Sequence, residues 1–137
     1  MSKTDWTKAA APSLDDFATI ANAAFAALPA AFRELAGEVR MVVEDFATDD
    51  LLDQLGIEDA FALTGVYQGV NLTDRSVLDP TPHLSRVFLY RRPILDEWAE
   101  RGNVALGDLV THVLVHEIGH HFGLSDADIE AIEAEAE

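Results

Sequence analysis

The sequence contains no cysteine. Disulfides and a thiolate zinc site are therefore excluded, and any bound metal must rest on imidazoles and carboxylates. Basic residues are scarce: 9 Lys and Arg stand against 25 Asp and Glu, a formal net charge of −16. Nucleic acid and anionic membrane both require a basic patch, so neither is an expected partner. No apolar run approaches the length of a membrane span, and Met1 to Ser13 carries Lys3 and Lys8 without the apolar stretch of a secretory leader. The expectation is a cytoplasmic protein. No sequence feature specifies an oligomer.

What is present fits a globular domain. Apolar residues make up 49% of the 137 positions, which suits one domain over residues 1–137 with a real core and a flexible stretch at 1–12. Lys and Arg stop at Arg101, while Asp128, Glu130, Glu133, Glu135 and Glu137 crowd the segment 125–137. That segment reads as a solvated acidic helix and tail.

The pattern along the chain is α+β. Ser13 with Asp16 forms a capping box ahead of an Ala-rich helix carrying Phe17, Ile20, Ala24, Phe25, Leu28 and Phe32, which Pro29 should kink or divide. Val39 to Phe46 is β-branched and short, a strand. Thr48 caps a brief helix through Leu55, stopped by Gly56. Leu63 to Leu72 is extended but interrupted by Gly65 and Gly69, which suits an edge strand or a place where another backbone comes close. A proline-containing loop, Thr73 to Ser85, precedes the strand Arg86 to Tyr90. Pro93 fits the first turn of a helix over Ile94 to Glu100, and Gly102-Asn103 ends it. A further helix then runs to about Phe122, and Ser125 with Asp128 caps the last one.

That penultimate helix carries the chemistry: His116-Glu117-Ile118-Gly119-His120. Residues four apart share a helix face, so His116 and His120 can offer two imidazoles to one ion. Glu117 stands beside them, where a carboxylate can take a proton from water activated by the metal. Leu109, Val113, Leu114 and Ile118 supply the apolar stripe that would bury the opposite face. A catalytic zinc keeps three protein ligands and one open position. Asp126 is the chosen third ligand, because a turn at Gly123 can return it over the helix end; Asp128 is the alternative, with capping as its competing role. His112 shares the face one turn earlier but lies too far from His120 to complete the same site, so a supporting or partly buried role is expected. His121 points elsewhere and reads as packing or solvated, and His83 sits in the proline loop. Tyr67 and Tyr90 are candidates to stabilise an oxyanion, although strand aromatics are more often core.

The run from His116 to Asp126 matches H-E-x-x-H-x-x-G-x-x-D. Together with Gly65-Val66-Tyr67-Gln68-Gly69-Val70, Leu72-Thr73-Asp74-Arg75 and Leu89-Tyr90-Arg91-Arg92-Pro93, it resembles the small bacterial zincin-like metallopeptidases, the minimal zincins, over roughly residues 30 to 130. The resemblance implies a minimal zincin-like α+β fold, a short mixed sheet packed against helices that include the motif helix. It further implies Zn2+ on His116, His120 and Asp126, Glu117 as general base, and a peptide or protein substrate. An extended peptide would lie along the edge strand formed by Gly65, Val66, Tyr67, Gln68, Gly69 and Val70, with Tyr90 nearby. There is no Met after Met41, so the methionine turn of metzincins is missing. Two alternatives are a non-catalytic metal-binding module on the same fold and a metal-dependent nuclease, the latter opposed by the charge.

Overall fold

The computed structural model describes residues 5–68 and 85–136 of the chain. Helix α1 spans Leu14–Ala26. Its capping box is complete: Asp16 N–H donates to Ser13 Oγ at 3.1 Å and Ser13 N–H to Asp16 Oδ2 at 2.9 Å. Pro29 divides the apolar pattern, standing just before the short helix α2, Ala30–Ala36. Strand β1 covers Val39–Glu44 and ends two residues before the expected Phe46. Helix α3, Asp49–Leu55, is capped by Thr48 and closed by Gly56 in the left-handed region at φ 69°.

Strand β2 is Gly65–Gln68. The expected strand is longer; its part from Gly69 onward, with Val70, lies outside the described residues, as does His83. Strand β3, Ser85–Tyr90, runs directly into helix α4, Arg91–Arg101. That helix begins three residues before the expected Ile94, because Tyr90 both ends the strand and caps the helix without a side-chain bond that sequence could signal. Helices α5, Leu106–His121, and α6, Asp126–Ala136, complete the order. Two single 3-10 turns, Trp6–Lys8 and Ala60–Ala62, were not anticipated, although Asp5 and Asp59 cap them with carboxylates that sequence does show. Among the described residues no helix is long and apolar enough to cross a membrane.

The sheet is mixed, in the order β1-β3-β2. β1 runs parallel to β3, with Val42 opposite Phe88, and β2 runs antiparallel to it, with Tyr67 opposite Val87. Alternation along β3 divides its side chains between two cores. Val87 and Leu89 join Phe17, Ala21, Ile94 and the apolar side of α5 in the main core. Phe88 and Tyr90 face the other way, into a smaller cluster with Ala47 and Leu52. Helix α5 therefore lies against one face of the sheet, held by the main core.

Candidate metal centre

Leu109, Val110, Val113, Leu114, Val115, Ile118 and Gly119 are the buried residues of α5, which includes every residue of the expected stripe. Fixing that side leaves His112, His116 and His120 in a row along another face, one per helical turn. Consecutive rings lie 4.0 Å apart between His112 and His116, and 5.4 Å apart between His116 and His120, centroid to centroid.

The turn after α5 determines what faces this row. Gly123 adopts φ 77°, the left-handed conformation that only glycine adopts without strain. Leu124 N–H donates to Gly119 O at 2.9 Å and Gly123 N–H to His120 O at 3.1 Å, closing the helix end. Ser125 and Asp128 then make a second capping box: Asp128 N–H donates to Ser125 Oγ at 3.1 Å and Ser125 N–H to Asp128 Oδ2 at 3.2 Å. Asp128 thus caps α6. The new helix folds back along α5, with Ile129 fully buried against Gly119.

Two carboxylates reach the histidine row from α6. Asp126, at its start, brings Oδ1 to 3.1 Å from His120 Nε2. Glu133, two turns on, brings Oε1 to 2.8 Å from His112 Nδ1 and 3.5 Å from His116 Nε2. One ligand atom from each of His112, His116 and Glu133 falls within 4.8 Å of the others, the spacing of a group that could hold a metal ion. Glu133 Oε1 is also buried and, despite the short distance to His112, has no aligned hydrogen-bond partner. A buried oxygen left in that state is costly unless something satisfies it, and a cation between it and the imidazoles would do so. The donor set, two nitrogens and a carboxylate oxygen, suits zinc.

At His116 the electrostatics favour ligation. His116 is held below the usual imidazole range first by burial and then by the neighbouring His112, against the opposing pull of Glu133. It is therefore neutral at neutral pH, the form that donates a lone pair. Burial raises the carboxyl of Glu117, partly offset by nearby His120, which moves it toward the range where a base exchanges protons readily.

Of the remaining candidate residues, Gly65 and Tyr67 lie on the α5 side of β2. A Cβ at Gly65 would meet Val113 Cγ1 and Phe88 O, both at 2.9 Å, so the close neighbours at this glycine belong to the protein's own α5 and β3. The Tyr67 ring packs 4.5 Å from the ring of His121, which makes His121 a packing partner of the edge strand. Val66 packs on the opposite cluster with Tyr90, and Gln68 and Tyr90 share a cleft on that opposite face. Tyr90 is 1% exposed, and the fold does not bring it to the histidines. Sequence reasoning missed Glu133. The signal was its position one turn after Ile129 on α6, which separates it from the exposed Glu130 and Glu135.

The family model for zincin-like metallopeptidases matches residues 36–136, from the end of α2 through the last helix. The chain belongs to that family. No match to a curated protein emerges from sequence comparison. The matched span contains the sheet, the histidine row and both carboxylates.

Proposed function

We propose that the protein is a zinc-dependent peptide hydrolase, with His116, His120 and Asp126 as ligands and Glu117 as general base. The observation that supports this most directly is the H-E-x-x-H turn of α5, where a half-buried carboxyl with raised proton affinity adjoins a neutral imidazole and the His120–Asp126 pair. Zinc at these ligands supplies a Lewis acid that polarises a carbonyl and lowers the pKa of water toward neutrality.

The remaining steps belong to the chain. Glu117 accepts a proton from the attacking water as its oxygen bonds to the scissile carbonyl carbon. The same carboxyl then donates that proton to the nitrogen as the C–N bond breaks, so the amine leaves neutral and Glu117 returns to its starting form. His120 and Asp126 have side chains 55% and 82% exposed, an accessibility that a substrate-facing ligand pair requires. Strand β2 is at the edge of the sheet among the described residues and packs against α5, which supports an extended peptide aligned on that edge.

The test is Glu117→Gln, assayed on a broad peptide library with zinc present. Cleavage should fall by roughly 10²–10⁴-fold, the range of general-base catalysis, while zinc affinity stays near that of the unaltered protein. Zinc-dependent cleavage that persists at full rate in the folded variant overturns the reading.

A further inference from the structure

His116 faces two sets of partners, and it cannot serve both. We propose that the histidine row of α5 holds zinc in two mutually exclusive registers: the hydrolytic one, His116–His120–Asp126, and a silent one a helical turn back, His112–His116–Glu133. The inference rests on the hydrolytic assignment above and adds a competing position that withholds the ion from it.

The silent register is already close to coordination geometry. Zinc–ligand bonds of ~2.1 Å in a tetrahedron place ligand atoms roughly 3.4 Å apart. His116 Nε2 and Glu133 Oε1 are 3.5 Å apart, and all three ligand atoms lie within 4.8 Å of one another. The 2.8 Å approach of His112 Nδ1 to Glu133 Oε1 without hydrogen-bond alignment leaves the carboxylate lone pair free for an ion. Glu133 is delivered by a firmly placed helix, fixed at its start by the Ser125–Asp128 box and along its length by Ile129 against Gly119.

Mutual exclusion follows from one atom. His116 belongs to both sets of ligands, and its Nε2, 3.5 Å from Glu133 Oε1, can bind only one ion at a time. Silence follows from the sequence one turn back. The residue after His112, equivalent in this register to Glu117 in the other, is Val113, which is 5% exposed in the main core. An ion held there has no base in the position that H-E-x-x-H provides. It is also more sheltered: the side chains of His112 and Glu133 are 39% and 24% exposed, against 55% and 82% for His120 and Asp126.

The experiment uses the full chain with 15N-labelled histidine, titrated with zinc alone, following both stoichiometry and the ring nitrogens. The unaltered protein should bind one zinc. Asp126→Ala should still bind one, shifting the ring signals of His112 and His116 and leaving those of His120. Glu133→Ala should bind one with the complementary pattern, at His116 and His120, and His112→Ala should reproduce it from the other side of the triad. Combining Asp126→Ala with Glu133→Ala should weaken binding by more than about 100-fold, beyond what supporting residues of a metal site contribute. Loss of zinc in Asp126→Ala alone, binding there that shifts His120 and leaves His112 unmoved, or two zinc ions on the unaltered chain would each overturn the proposal. Loss of zinc in Asp126→Ala beside intact peptide hydrolysis by the unaltered protein removes only the silent register. Retained zinc in Asp126→Ala with no hydrolysis by the unaltered protein removes only the hydrolytic reading.

Discussion

Gly119 and Ile129 are packed so closely that a methyl group on the glycine would sit 2.9 Å from Ile129 Cγ1 and 3.0 Å from its Cδ1. This contact sets the distance between α5 and α6, and so the reach of Asp126 and Glu133 to the histidines. Gly119→Ala gains up to about 1 kcal/mol of helix propensity but overpacks a fully buried site at a cost of about 1–3 kcal/mol. The expected net is a loss on the order of 1 kcal/mol in urea unfolding, with weaker zinc binding as α6 moves outward. Ile129→Ala should relieve the clash, so the double variant should lose less than the two single losses added together. Strict additivity would show that the two side chains do not meet.

Gly65 is the corresponding wedge between β2, β3 and α5. Here the clash is with a backbone oxygen, Phe88 O, as well as with Val113 Cγ1. The oxygen cannot turn aside as a side-chain terminus can, so Gly65→Ala should destabilise the fold by about 1–3 kcal/mol. A midpoint of urea unfolding equal to that of the unaltered protein would contradict this packing.

Asp128 and Asp126 stand two residues apart at the start of α6 and should separate cleanly. Asp128→Ala removes one half of a capping box and should lower stability by about 1 kcal/mol. Its zinc affinity should stay within about threefold of the original, since a cap change of this size leaves the rest of α6 packed on α5. Calorimetric zinc titration combined with thermal unfolding checks both halves. Zinc that shifts the ring signals of His112 and His116 and leaves those of His120 unmoved in Asp128→Ala would transfer the third ligand to that residue.

Local signals explain which parts of this structure were legible in the sequence. Ser13 with Asp16, Ser125 with Asp128, Pro29 and Gly123 each act within a few residues of themselves, and each does what its chemistry requires. The apolar side of α5 was readable for the same reason, because helical periodicity is local. Glu133 was not. Its role depends on α6 folding back along α5, a relationship set by Gly119 and Ile129 across the turn rather than by spacing. Tyr90 illustrates the reverse: its place beside Pro93 could be read, but which face of the sheet it occupies depends on the register of β3 against its neighbours.

The burial of Tyr90 has its own consequence at high pH. Its hydroxyl is pushed up to about 12 by burial, with the charge of Glu44 adding to the effect, whereas an unfolded tyrosine ionises near its ordinary value of 10.0. Below pH 10 both states keep the proton, and the contribution of this group to stability is fully present. Between 10 and 12 the unfolded chain has released the proton while the folded chain still holds it, so rising pH favours unfolding. The loss across that window is on the order of 2 kcal/mol, from about 1.4 kcal/mol for each pH unit between the two values, reduced for the hydroxyl's access to the cleft it shares with Glu44. Urea unfolding at intervals from pH 8 to about 11 should therefore show a decline that is shallower in Tyr90→Phe, which has no proton to lose. If the two proteins decline in parallel, the hydroxyl is not held in its neutral form by the fold.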